Sequence, residues 1–384
     1  MRIGFDAKRA FNNRTGLGNY SRFVLNALQH FASHHQYLAY TPQLKAGLFD
    51  EFPEKSIRLP DFKNKLYGAW WRSYGIKKNL VQDGVQVYHG LSNELPNGLS
   101  AAGIKSVVTI HDLIFLRYPE LYAAIDRSFY RQKFRKACAE ADVIVAVSEQ
   151  TKRDIIEFYG TSPEKIKVVY QDCHEVFHTP QASQVLKRGR PVLGAQPWEV
   201  SPLLHKYHIG KPYILSVGTI EARKNQLHLV KAFHAAQLPD AELVLVGGQT
   251  NYQREIEVYI VQHQLATKVK ILNSVPFADL PALYQSARVF AYPSFFEGFG
   301  IPIVEALHSS VPVVAATGSC LEEAGGKGSL YIDPNNVNAF AQTLTLLWQD
   351  EALRKSLITE GQKHVKGFAA EKIAKELTEI YASL

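Results

Sequence analysis

The sequence predicts an α/β protein built from two doubly wound, Rossmann-like domains facing across a cleft, and three observations carry that prediction. Short β-branched runs alternate with segments of helical periodicity, the alternation comes in two successive series, and a stretch rich in Pro, Gly and polar residues parts them. The length of 384 residues agrees, since one ordinary core rarely grows so large and about two domains are expected.

The first series reads RIGFD, YLAYT, VQVYHG, SVVTIHD, VIVAVS and KVVY, and the second reads YILSVG, ELVLVGG, KVKIL, VFAYPS, PVVAAT and SLYID. Continuous apolar strands followed by amphipathic helices imply parallel sheets covered on both faces. We therefore expect one domain over residues 1–175, a linker or insertion over 176–210, and a second domain over 211–368. Residues 369–384 (AAEKIAKELTEIYASL) repeat apolar positions at helical spacing, either packing on the second domain or crossing back to the first.

A composition of 46% hydrophobic and 21% charged residues is that of a folded soluble protein. No apolar run approaches the ~18 residues of a membrane span, and a strand reading begins at residue 2, so the expected location is the cytoplasm or the inner face of a membrane. Three cysteines without C-x-x-C spacing argue against a disulfide framework or a zinc site. The net charge of +7 points to anionic partners. With no zinc-finger spacing, RNP-type motif or Lys/Arg run, nucleic acid is not expected.

Ligands of open parallel sheets bind beyond the carboxyl ends of the strands. After VFAYPS comes Phe295-Phe296-Glu297-Gly298-Phe299-Gly300, then Pro302 and an apolar helical stripe containing Glu305. Glycines ahead of a Pro in the first turn suit a helix start whose free N–H groups face an anion such as a diphosphate. Two carboxylates there can take paired hydrogen bonds from sugar hydroxyls, or else complement the helix dipole and form a surface ion pair. After YILSVG, Arg223 and Lys224 stand between strand and helix, placed to neutralise phosphate or simply to be solvated. In the first domain, Thr15-Gly16-Leu17-Gly18 opens a helix expected over residues 21–28, a loop in which amides can approach a phosphate or sugar. Its incomplete G-x-G-x-x-G disfavours dinucleotide binding. His111 ends SVVTIHD, where it either contacts a sugar hydroxyl or serves the structure, and Asp112 beside it suits a cap. No D-x-D occurs, so a metal bridging carboxylates to diphosphate is not signposted and no metal or other cofactor is expected.

Taken together these residues resemble the retaining glycosyltransferases of family 4, which have the GT-B fold. PSFFEGFGIPIVEAL resembles the family's E-x7-E signature and SVGTIEARKN its phosphate-binding turn; TGLGNYSR, HDL, VSEQTKRDI and PEKIKVVY are similar in order and position. The resemblance implies that Glu297 contacts the donor sugar, Glu305 the ribose, and His111 the donor sugar. Lys224 stands at the family's Lys position. Thr219 replaces the family's Arg, with Arg223 supplying the second cation. Gly16, Gly18, Gly298, Phe299 and Gly300 line the donor. Gln171-Asp172 replaces a family Asn-Gly at the linker start.

The implied reaction moves a hexose of the mannose or glucose type, with retention, from a GDP- or UDP-linked donor to a glycan or lipid-linked acceptor. The first domain is then the acceptor domain and the second the donor domain. A nucleotide-sugar epimerase or phosphorylase, or a non-catalytic nucleotide-sugar binder, are the competing readings. Residues 63–80 (KNKLYGAWWRSYGIKKNL) combine five basic residues with four large aromatics and no acid. Peripheral membrane contact, an acceptor site and an amphipathic helix packed on its domain all fit that mixture, and the basic stretch 127–136 shares the ambiguity.

Overall fold

The computed structural model describes residues 1–61, 65–178 and 202–384, so most of the expected linker, 179–201, lies outside the described residues. The chain forms two compact units, Met1–Asp172 with Phe368–Leu384, and Cys173–Gly367.

The first unit holds seven parallel strands, β1 Arg2–Asp6, β2 Gln36–Tyr40, β3 Ile57–Arg58, β4 Val87–Gly90, β5 Lys105–Ile110, β6 Val143–Ala146 and β7 Ile166–Val168, in the order β3-β2-β1-β4-β5-β6-β7. The second holds six, β8 Tyr213–Val217, β9 Glu242–Val246, β10 Val269–Leu272, β11 Val289–Tyr292, β12 Val313–Ala316 and β13 Ser329–Ile332, in the order β10-β9-β8-β11-β12-β13. Twelve of these coincide with the β-branched runs. The edge strand β3 has two residues, too short for any period to register.

Strand order reverses between β1 and β4 in one sheet and between β8 and β11 in the other. At such a switch point adjacent loops diverge to opposite faces and leave a crevice, the usual ligand position of open α/β sheets.

The glycines of the Thr15–Gly18 stretch lie in the first turn of the helix Gly16–Phe31 rather than in a loop ahead of a helix at residue 21. A Cβ on Gly18 would come within 1.9 Å of the Asn13 carbonyl oxygen, so close chain approach requires that glycine; a Cβ on Gly16 would meet nothing.

Residues 65–82 turn through the helix Lys65–Trp70, a π-helical turn Trp71–Gly75 and the helix Ile76–Gln82. Trp71 is buried beside Tyr40 and Leu80, its indole N–H donating to Asn79 (2.9 Å). Trp70 and Tyr74 stay exposed.

The helix Ala370–Ala382 packs on Gly16–Phe31 within the first unit and carries Tyr381 into its interior. There the Tyr381 hydroxyl shares a 2.7 Å hydrogen bond with His89 Nδ1, His89 Nε2 shares one of 2.8 Å with Thr109, and Thr109 shares one of 3.0 Å with Tyr20. Burial depresses the His89 pKa to about 3, aided by nearby His111, so the imidazole is neutral and needs one donor and one acceptor. Tyr381→Phe removes one of them from a dry site. We predict a loss of ~1–3 kcal/mol of unfolding free energy, measured as a lower urea midpoint at unchanged m value.

Candidate active site

The switch point between β8 and β11 is built from two stitched loops. Gly218, at φ 152°, turns the chain out of β8 in a conformation that glycine tolerates. A short 3-10 turn, Ala222–Lys224, then presents the two cations before Asn225 (φ 59°) begins the helix Gln226–Ala236. From the other side, Phe295 N–H donates to the Arg223 carbonyl (2.9 Å) and Arg223 Nη1 to the Phe296 carbonyl (2.5 Å). The Asn225 amide reaches the Pro293 and Pro334 carbonyls (3.3 and 2.8 Å). Each cation is thereby fixed to the loop that carries Glu297.

Glu297 is buried and multiply bonded. Its Oε1 accepts from Lys224 Nζ (2.5 Å), Ser294 Oγ (2.6 Å) and the Tyr292 hydroxyl (3.1 Å), while Oε2 pairs with Arg223 Nη1 (2.9 Å). Arg223 Nη2 pairs in turn with Glu221 (2.6 Å), and Lys224 also donates to the Tyr292 hydroxyl (2.6 Å). Burial alone would raise the Glu297 pKa, but Lys224 and Arg223 outweigh it and hold the carboxyl at about 2. Burial pulls the Lys224 ammonium below its ordinary value, Glu297 opposing and Arg223 adding to the shift. Two cations facing two carboxylates make a formally neutral cluster.

Past Glu297, Gly300 adopts φ 117° and begins the helix Ile301–His308 with Pro302 in its first turn; Phe296 and Phe299 are buried on either side of Gly298. The Cys320 thiol donates to the Glu297 carbonyl (3.0 Å). Glu305 lies inside that helix, buried, with Oε2 accepting from the Tyr284 hydroxyl (2.7 Å). Burial raises its pKa to about 7, the Tyr284 bond opposing. The two glutamates thus sit in opposite electrostatic settings, one held ionised and one close to half-protonated near neutral pH.

In the first unit, His111 follows β5 beside the switch point of that sheet. Its backbone N–H donates to Asn93 (2.9 Å) and its Nε2 to the Leu91 carbonyl (2.9 Å), which puts the proton on Nε2 and leaves Nδ1 an acceptor. Burial lowers its pKa to about 4, so it is neutral, and Tyr20 packs edge-on against the ring at 4.6 Å. Asp112 accepts from the Ile114 N–H two residues on (3.2 Å), a turn just ahead of the helix Ile114–Arg117, whose cap is Leu113 and not Asp112.

The structure therefore gathers Glu297, Arg223, Lys224 and the Gly298–Gly300 turn at one strand edge. Sequence reasoning missed Glu221, Tyr284, Tyr292 and Ser294, which satisfy these charges. Only the place of Tyr292 and Ser294 at the end of VFAYPS hinted at them. Also missed was Asp6 at the end of β1, paired with Arg72 (2.5 Å), which in turn pairs with Glu94 (3.2 Å). Among the described residues, Cys173, His178 and His308 bring ligand-type atoms within 4.8 Å of one another. The two rings stack face to face at 3.8 Å and 13°, so their in-plane lone pairs run side by side instead of meeting at one metal.

Opposite pH behaviours follow. The raised Glu305 pKa means its contribution to stability is full below about pH 4.5 and is lost as pH climbs through about 7, a change of ~3 kcal/mol. Glu305→Gln should remove this decline, so its advantage over wild type in melting temperature grows between those pH values. The depressed Glu297 pKa acts the other way, its stabilisation present above about pH 4.5 and lost as pH falls toward 2. Glu297→Gln should flatten the acid limb of a stability titration.

Two family models match the chain, "Glycosyltransferase Family 4" over residues 20–171 and "Glycosyl transferases group 1" over 205–364. The O-antigen chain mannosyltransferase B of Escherichia coli is 30% identical over 303 residues, 78% of this chain and 74% of that protein. The D-inositol 3-phosphate glycosyltransferase of Corynebacterium aurimucosum is 31% identical over 256 residues, 63% of this chain and 57% of the relative. Among solved structures, that of Anabaena Alr3699/HepE in complex with UDP and glucose superposes with a TM-score of 0.72 at 19% identity, covering 100% of both chains. With these matches, the paired parallel sheets and the cationic turn facing Glu297, the chain belongs to the family 4, group 1 glycosyltransferases of GT-B fold, as a mannosyltransferase-like member.

Proposed function

We propose that the chain transfers a hexose, of the mannose or glucose type, from a GDP- or UDP-linked donor to a hydroxyl of a glycan or lipid-linked acceptor, with retention at the anomeric carbon. The observation that carries this reading is the buried Arg223–Glu297–Lys224 cluster at the β8/β11 switch point. A diphosphate entering there offers both cations a new anionic partner, and Glu297 is released to face the sugar as a carboxylate. The mannosyl preference and the glycan acceptor rest on the E. coli relative, whose name specifies O-antigen chains. In this reading the first unit receives the acceptor and the second holds the donor.

The anomeric C–O bond to phosphate breaks first, so positive charge grows on the sugar while negative charge grows on the leaving diphosphate. Arg223, Lys224 and the amides of the Gly298–Gly300 turn stabilise the leaving group, side-chain cations standing where other transferases place a divalent ion. Glu297, kept ionised, accepts sugar hydroxyls and faces the developing cation. The new C–O bond forms to the acceptor oxygen, and the acceptor proton passes to the departing phosphate oxygen, so no separate base is needed. Glu305 accepts the ribose hydroxyls. His111, neutral and with Nδ1 open to accept, takes a sugar hydroxyl, and Gly16, where a Cβ would meet nothing, leaves the backbone accessible to the donor. The surface of the first unit makes peripheral contact with a membrane; among the described residues no helix is long and apolar enough to cross one.

Lys224→Ala should lower kcat by on the order of 10² to 10³ while the fold survives. Product formed from an α-linked donor should be α by NMR, and EDTA should leave the rate unchanged. Full turnover in Lys224→Ala, or an inverted product, would sink the mechanism. Slow donor hydrolysis without acceptor separates an enzyme from a mere binder.

A further inference from the structure

Two cations follow β1 at the switch point of the first sheet. Lys8 and Arg9 open the short helix Lys8–Asn12, which packs on Gly16–Phe31, and both side chains are half-buried. Among the described residues, no acid, carbonyl or hydroxyl is bonded to the Lys8 ammonium or the Arg9 guanidinium. The acids beside them are already matched. Asp6 pairs with Arg72 (2.5 Å), Arg72 pairs also with Glu94 (3.2 Å), and Glu94 takes Lys133 as its second cation (2.7 Å). Two acids against two cations balance, which leaves Lys8 and Arg9 as a surplus of positive charge.

That surplus is concentrated. Burial holds the Lys8 ammonium below its ordinary pKa, and Arg72 and Arg9 push it further the same way, with Glu94 and Asp6 opposing. Arg9 reaches His111 as well, where it adds to the depression that burial causes. Lys8, Arg9, Arg72 and His111 therefore share one neighbourhood, at the strand ends where open parallel sheets bind their ligands. In the second unit the comparable cations, Arg223 and Lys224, are answered by Glu221 and Glu297. In the first unit like charges stand together half out of water, an arrangement that an incoming anion relieves.

A guanidinium fork beside an ammonium suits phosphate oxygens. Two surplus charges match a phosphate monoester dianion or a diphosphate diester, whereas a carboxylate would answer only one of them. We propose that Lys8 and Arg9 form a phosphate-binding site at the switch point of the first unit, and that it takes a phosphate group carried by the acceptor sugar. The site stands on the charge arrangement itself; only the identity of its occupant as the acceptor rests on the transferase reading. A free sugar phosphate and a sugar diphosphate tethered to an alkyl chain share this chemistry.

The test is calorimetric titration of the full chain, with GDP and UDP in excess to occupy the second unit's cations, by three probes: mannose 1-phosphate, decyl mannosyl diphosphate and the uncharged methyl mannoside. Wild type should bind a phosphate probe at least about tenfold more tightly than the mannoside, and Lys8→Gln/Arg9→Gln should abolish that preference. The charge-keeping variant Lys8→Arg/Arg9→Lys should retain most of it. Binding of both phosphate probes supports a site for the phosphate group alone, and binding of the tethered one only supports a site for the diester. No preference in wild type, or a preference that survives Lys8→Gln/Arg9→Gln, would overturn the proposal. Without probe, that neutral variant should melt at or above the wild-type temperature because a repulsion is gone; a lower value would mean that the cations serve the fold, and would overturn it too. Donor hydrolysis by wild type tests the transferase reading separately: its failure would remove the acceptor as occupant and leave the phosphate site to the titrations.

Discussion

The second unit is organised around one electrostatic fact: a carboxylate can be buried only with its charge answered. Glu297 is answered twice, by Lys224 on one oxygen and Arg223 on the other. Because both cations come from the loop after β8 and the glutamate from the loop after β11, the ion pairs hold the mouth of the sheet in one geometry. Breaking either pair leaves an unmatched charge in a dry place, a far larger loss than a surface salt bridge represents. Ser294 and Tyr292 complete the cage.

The contrast with Glu305 is instructive. Eight residues further on, the same side chain has a phenol for its partner and no adjacent cation, and burial dominates. One glutamate is fixed in charge and the other is adjustable, a division of labour that arises from neighbours and not from the residue itself.

The architecture was legible because parallel sheets buried on both faces write themselves as continuous apolar runs, and each of the twelve such runs is a strand. The loops were legible as places: Glu297, Arg223 and Lys224 stand where strand ends demand chemistry. Their partners were not, because Glu221, Ser294, Tyr284 and Tyr292 are ordinary residues until the chain folds and sets them within bonding distance. The Thr15–Gly18 stretch read as a loop because two glycines argue against a helix; tertiary packing on Asn13 overrides that propensity and starts the helix earlier. The π-helical turn at Trp71–Gly75 leaves no mark in the sequence, since it arises where one tryptophan is drawn inward and its neighbour is not.

The His89–Tyr381 bond joins a strand made early in synthesis to a helix made only after the whole second unit. A ribosome adding about 5–20 residues per second needs roughly 10–40 s to produce the whole second unit before that helix emerges. Throughout that interval the nascent first unit has the His89 imidazole and the flank of Phe5 awaiting their cover. Its completion is thus postponed until the second unit has been made, and the interval is the window in which a chaperone would find it.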